Sequence, residues 1–433
     1  MSGSDAYRRR RLPYPWSRLA LVALLVCGSL GLPGPDHRLE QDSARAARAV
    51  DTASARGSPA TRADGLIRGT LGRQAAALIG GDERGWLRDV DPALTSEMHR
   101  LYRNLHGLRI SGWVTDPAGL AAGQTGPVWN TDVRIRVCFA GPVCTRERAA
   151  AGRPEPSTDL LTARTAWRVT GDRAVLLRFA FDSEARLPSR PTPWERGALS
   201  FAAGRRVIVA APRGRLRPAE WLAPAERAAV VADRFALTEP RVGSYLVFLA
   251  GRSEWRTWFS AFTDRDVLGY ALRPSDTSGF IVIDTTKVRP DAHGENVLRH
   301  EMAHIATRYG PSTRVGEWAT EGIAEYVAWT GHPVSAYDRT GDARALAAKI
   351  RWTRQLDLEW SHASAYRSGY YGMGFFAMRC LSETFGEARM LDFFDRMAHG
   401  GRGPAQASGE AFGASWAAVE RGCAPRIGAW LGS

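Results

Sequence analysis

The chain has 433 residues, 44% of them hydrophobic and 24% charged, which suits folded globular material and is too long for one small core. Its formal charge of +13 is carried almost wholly by arginine, since only Lys287 and Lys349 are lysines. No arginine–aromatic interleaving of the kind that binds nucleic acid accompanies that charge, so no nucleic-acid partner is expected, whereas a basic surface suits anionic lipid or cell-wall polymer.

At the N-terminus Arg8, Arg9, Arg10, Arg11 and Arg18 precede an apolar run over residues 19–32. A basic flank before a short apolar stretch is the pattern of a secretory signal peptide or a signal anchor, predicted over residues 1–33. The run falls short of the ~20 residues that a spanning helix needs. Pro33, Gly34 and Pro35 follow it in place of a small-x-small cleavage site, and Cys27 sits in a poor lipid-attachment context. The body of the chain is therefore expected outside the cytoplasm, either secreted or held to the membrane by this segment. Residues 34–64, rich in Arg, Ala, Ser, Asp and Gly, predict a flexible linker.

Residues 65–215 predict an α+β accessory domain. Leu71, Leu78, Ile79, Trp86, Leu87, Met98, Leu101, Tyr102 and Leu105 recur at helical spacing and give two helices. The period then changes to two over residues 133–139, 165–169, 175–181 and 206–210, which predicts antiparallel strands and a small, cone-like domain. It holds no cluster of His, Asp, Glu or Cys with catalytic spacing. Cys138 and Cys144 flank a turn, which suggests the pairs Cys138–Cys144 and Cys380–Cys423 in an oxidising compartment. Four cysteines allow three pairings, and buried free thiols are the other option.

Residues 216–433 predict the second domain. A helix over residues 223–235, strands over 245–250 and 279–284, and helix after helix beyond residue 293 describe an α+β hydrolase with its site at the junction. His300-Glu-Met-Ala-His304 matches H-E-x-x-H. Its helix, residues 295–309, stops at Gly310-Pro311 and places both imidazoles one turn apart on one face, within reach of a single ion. Glu301, next to the first ligand, is positioned to work on a metal-bound water as general base. A catalytic zinc needs a third ligand and one open position. The following helix supplies Glu321 as that ligand, and Glu325, one turn on, as the carboxylate that holds an imidazole N–H, that of His300.

The pairing of His300-Glu-Met-Ala-His304 with Glu321-Gly-Ile-Ala-Glu325-Tyr resembles the gluzincins, the zinc metallopeptidases similar to thermolysin and the membrane aminopeptidases, within the broad peptidase MA-like group. The resemblance covers about residues 240 to 420 and is specific at these two helices. It implies a thermolysin-like zincin domain, one Zn2+ per chain and a peptide or protein substrate. It also implies His300, His304 and Glu321 as ligands, with Glu325 supporting a histidine. Tyr366-Arg-Ser-Gly369 resembles the segment whose tyrosine donates to the oxyanion in the aminopeptidase-like branch, so Tyr366 is the expected donor, with Tyr370 and His362 as alternatives. In gluzincins an extended substrate lies on an edge strand, here expected at residues 279–284. The G-x-M-E-N segment that grips a free amino terminus is missing from it, which favours an endopeptidase or another amide hydrolase. The alternative is a gluzincin-fold binding protein of the cell envelope with weak or lost catalysis; a closed, structural metal site is a third reading.

Overall fold

The computed structural model describes residues 58–120, 126–139, 160–182, 191–239, 241–258, 267–275, 278–360 and 365–432. The basic and apolar N-terminal segment, most of the expected linker, Cys144 and His362 lie outside these residues, and with Cys144 the expected Cys138–Cys144 bridge. None of the described helices is long and apolar enough to cross a membrane.

Helix α1 (Pro59–Ile79) begins inside the stretch expected as linker. Ser58 accepts a hydrogen bond from the Thr61 amide at 3.1 Å, and Pro59 presets the first turn, so composition is overridden by a cap and a buried stripe of Ala63, Ile67, Leu71 and Leu78. The short α2 (Glu83–Leu87) and α3 (Thr95–Gly107) follow. Strands β1 (Ile110–Pro117), β2 (Val128–Phe139), β3 (Leu160–Thr170) and β4 (Arg173–Phe181) form an antiparallel meander in chain order. Along β2 the residues Trp129, Thr131, Val133, Ile135 and Val137 are buried and alternate with exposed neighbours, the mark of a sheet covered on one face. Helix α1 covers that face, packing on β1 and β4.

The second sheet has five strands in the order β5-β6-β7-β9-β8. These are β5 (Leu199–Ala203), β6 (Val207–Pro212), β7 (Tyr245–Ala250), β8 (Gly269–Ser275) and β9 (Ser278–Asp284). Helix α4 (Pro218–Asp233) connects the parallel strands β6 and β7, and β7 runs parallel to β9. The strand at residues 206–210, read from sequence with the first group, therefore belongs here: its partner is β7, more than thirty residues later, and local pattern carries no pairing information. The central strands are apolar at almost every position because both faces are covered. Ile208, Ala210, Leu246, Phe248, Phe280 and Val282 enter a core shared with the first sheet, which includes Phe139 and Trp194. Val207, Val209, Tyr245, Val247, Ile281 and Ile283 face α4 and the metal-motif helix α6 (Ala292–Ala306).

Strand β9, expected at the sheet edge, is interior, flanked by β7 and β8, and the edge strand is β8. The β8 sequence, Gly-Tyr-Ala-Leu-Arg-Pro-Ser, has no apolar run to mark it as a strand. The C-terminal half is helical and has its own core. Its helices are α7 (Glu317–Ala328), α8 (Thr340–Lys349), α9 (Arg367–Phe385), α10 (Glu387–Ala398), α11 (Pro404–Phe412) and α12 (Trp416–Leu431). The short α5 (Arg252–Thr257) follows β7. A disulfide joins Cys380 of α9 to Cys423 of α12.

Candidate metal centre

Helix α6 starts three residues earlier than its sequence pattern suggests, because Asp291 caps it by accepting from the Gly294 amide at 3.0 Å. Gly294 has no alternative: a Cβ there would lie 1.9 Å from the Arg289 carbonyl oxygen. Leu298, Met302 and Ile305 anchor one side of α6 on the sheet, which turns His300 and His304 toward α7. Helix α7 is buried from Trp318 to Ala328, so Glu321 and Glu325 are held in the interior without freedom to reach solvent.

The three ligand candidates converge. His300 Nε2 is 3.1 Å from His304 Nε2 and 3.2 Å from Glu321 Oε2, and His304 Nε2 is 3.3 Å from that same oxygen. Tetrahedral zinc with bonds near 2 Å requires ligand atoms about 3.3 Å apart, so this triangle has the dimensions of one face of such a centre and could hold a metal ion. Among the described residues no other group of three His, Cys, Asp or Glu side chains converges in this way. The donor set of two imidazoles and one carboxylate, without a thiolate, is one that zinc accepts.

Glu325 supports the first histidine, with Oε1 3.2 Å from His300 Nδ1. That contact fixes the ring and leaves Nε2 directed at the triangle. Glu325 is in turn held by the Tyr337 hydroxyl, which donates to Oε2 at 2.8 Å, and by Arg339, whose Nε lies 3.5 Å from Oε1. Burial opposes a charge on His300, yet hydrogen bonds to Glu321 and Glu325 outweigh it and hold its pKa at about 10 in the metal-free protein. Burial also raises the Glu325 pKa, but Arg339 and His300 overcome this and lower it.

Glu301 is buried next to His300 in the chain and lines the same cavity. Burial raises its pKa, against the lowering influence of the two histidines, which makes it a better proton acceptor than an exposed glutamate. The edge strand passes directly over it: a Cβ on Gly269 would stand 3.2 Å from Glu301 Oε1. A cavity opens beside His300 and Glu301, walled in part by Gly269, His293, Asn296, Trp329, Arg339 and Tyr371.

The tyrosines rearrange the expectation. Tyr366 is 42% exposed at the N-terminal cap of α9 and is absent from the cavity wall. Tyr370 stacks on Trp360, ring centroids 5.4 Å apart. Tyr371, which sequence reasoning missed, is the one against the site, its ring centroid 5.9 Å from that of His300. Burial first, then Glu321, Glu301 and Glu325, raise its pKa far above the ordinary value, so its hydroxyl keeps its proton. Tyr337 and Arg339 were missed as well. Tyr371 differs from Tyr370 by one position, about 100° around a helix, and only packing decides which of the two lies against His300. Tyr337 and Arg339 arrive from a separate segment, with no motif to announce them.

No family model matches the chain, and comparison with curated proteins finds no match. Among solved structures the chain is similar to an M1 zinc metallopeptidase from Deinococcus radiodurans, at 16% identity over 74% of this chain and 61% of that one, with a TM-score of 0.33. It is similar to a variant of a two-domain M1 zinc metallopeptidase bound to L-tryptophan, at 19% identity over 54% of this chain and 51% of that one, TM-score 0.33. A variant from Deinococcus radiodurans gives 17% identity over 61% and 58%, TM-score 0.34. The chain thus spans between half and three fifths of the length of these proteins. The likeness is coarse, and the functional reading rests on the site itself.

Proposed function

We propose that the chain is a zinc-dependent peptidase of the gluzincin type, working outside the cytoplasm, with His300, His304 and Glu321 holding the metal. The ligand triangle, with Glu301 buried beside it, carries this reading. Zinc held by His300, His304 and Glu321 would supply an acidified water and Lewis-acid polarisation of a substrate carbonyl. Glu301 accepts the proton of the attacking water and passes it to the departing amine. The protonated Tyr371 hydroxyl donates to the carbonyl oxygen as charge develops on it. Strand β8 offers its open edge to an extended peptide, next to Glu301 at Gly269, by main-chain pairing with little demand on side chains. In this proposal residues 1–33 direct export or anchoring, and the described part of the N-terminal α+β unit shapes the approach to the site.

Against the reading in which catalysis is lost stands the proximity of His300, His304 and Glu321 to one another and of Glu301 and Tyr371 to His300. A structural metal would need a fourth protein ligand, and none joins the group among the described residues. The test is metal analysis of the purified protein followed by Glu301→Gln. About one zinc per chain is expected in both forms, with peptide cleavage lost in the variant. An empty site in zinc-replete medium removes the central claim, and an equally active Glu301→Gln places the chemistry elsewhere.

A further inference from the structure

Arg339 lies outside the zinc motifs, at the N-terminal cap of α8, yet it meets both halves of the site. On one side its Nε is 3.5 Å from Glu325 Oε1, the oxygen that also faces His300 Nδ1 at 3.2 Å. On the other its guanidinium lies over the Tyr371 ring, 5.3 Å from the centroid. A third contact, Nη1 donating to Ser368 Oγ at 3.1 Å, fastens it to the first turn of α9.

Each contact answers a physical need. The Glu325 side chain is only 4% exposed, and a buried carboxylate without a compensating cation is costly by several kcal/mol. The Tyr337 hydroxyl is neutral and His300 is committed to the metal site, so Arg339 is the standing cation. Tyr371 needs a fixed ring plane if its hydroxyl is to meet a developing oxyanion, and a flat guanidinium on the ring face restricts that plane. An ammonium group could supply the charge without the flat face. The segment itself is locked: Tyr337 stacks on Phe375 of α9 with centroids 3.9 Å apart. A Cβ on Gly372, the residue after Tyr371, would come within 3.2 Å of the Arg339 carbonyl oxygen.

We propose that Arg339 is a positioning residue that couples the metal-ligand side of the centre to its oxyanion donor, holding Glu325 by charge and Tyr371 by stacking. The proposal rests on the zinc peptidase reading above and adds to it a division of labour within one side chain.

The test uses the full-length, zinc-loaded protein as Arg339→Gln and Arg339→Lys. Zinc transfer to a chromogenic chelator reports the Glu325 side, and kcat and KM on an internally quenched peptide library report the Tyr371 side. Arg339→Gln is expected to lose zinc roughly 10–100-fold faster, the range typical of removing a carboxylate's or histidine's support, with kcat reduced and KM little changed. Arg339→Lys is expected to retain zinc like the parent while kcat stays low, a split that general loosening of the fold does not produce. The idea is overturned if Arg339→Gln keeps both zinc and kcat. It is equally overturned if Arg339→Lys, melting at the parent temperature, loses zinc as fast as the glutamine variant or recovers full kcat. Should Arg339→Gln fail to fold, the lysine variant alone decides by the same split. If the parent cleaves no peptide the function fails, and chelator kinetics still decide whether Arg339 supports the ligand set.

Discussion

At the scale of single residues, the centre is a set of mutual constraints in which each side chain is held by the next. Glu325 turns His300, Tyr337 and Arg339 hold Glu325, and Tyr371 completes the ring. Two predictions belong here. Tyr371→Phe removes only a hydroxyl, and kcat should fall about 10²–10³-fold with KM little moved, the cost typical of losing one oxyanion donor. Tyr366→Phe should leave kcat where it was; the reverse pattern in steady-state kinetics would restore Tyr366 to the role its sequence context suggests. The second prediction concerns protons. His300 in the metal-free protein keeps its proton up to about pH 10, well above its ordinary 6.5, because Glu321 and Glu325 favour the charged ring over the opposing effect of burial. Zinc must displace that proton, so apparent affinity should rise with pH across the range below about 10 and decline toward acid. Titration calorimetry in two buffers of different ionisation enthalpy should show proton release at pH 8; binding with no proton released contradicts the predicted state of His300.

At the scale of elements, the site depends on how closely α7 can approach α9. The two helices meet at Gly322 and Gly374, where a Cβ on Gly322 would stand 2.6 Å from the Gly374 carbonyl oxygen. Glu321 is the neighbour of that contact, so spacing between the helices sets the position of its carboxylate, the proposed third ligand. Gly322→Ala forces the backbones apart and should cost about 1–3 kcal/mol, the usual penalty for overpacking. It should also speed zinc loss to a chelator, although no ligand is altered. A variant with the parent's melting temperature and zinc kinetics would show that the crossing has slack. The edge strand makes a related point. A residue larger than glycine at 269 would crowd Glu301, which ties the position of β8 to the base it passes.

At the scale of the whole molecule, the described body has three cores rather than a separate core for each predicted domain. The second sheet is shared: one face packs with the first sheet and α1, the other with α4 and α6. The helical half has the third core, and a disulfide between Cys380 and Cys423 closes it across 43 residues of chain. Replacing both cysteines by serine should lower stability by about 2–4 kcal/mol through the wider unfolded ensemble, read as a lower denaturant midpoint. An unchanged midpoint under oxidising conditions would mean that the helices are fully held by packing. Zinc content should survive the double substitution, since α9 contributes Tyr371 and no ligand.

Groupings that depend on local spacing were legible in the sequence. His300, Glu301 and His304 share one helix and Glu321 and Glu325 the next, so the periodicity of the α-helix was enough to predict that they cluster, while the parts proposed for them come from the H-E-x-x-H motif and its resemblance. The apolar runs of β7 and β9 were equally legible, because strands covered on both faces carry hydrophobic residues at every position. Contacts between distant segments were beyond reach of the sequence and come from the folded chain alone. Pairing of β6 with β7 moved a strand from one group to another, and the neighbour of β9 turned out to be a weakly patterned β8 that takes the edge. The placement of Tyr371 beside His300, and the arrival of Tyr337 and Arg339 behind Glu325, depend on how α8 and α9 rotate against α7. Helix rotation is set by the fit of many side chains at once, and no short stretch of sequence contains that information.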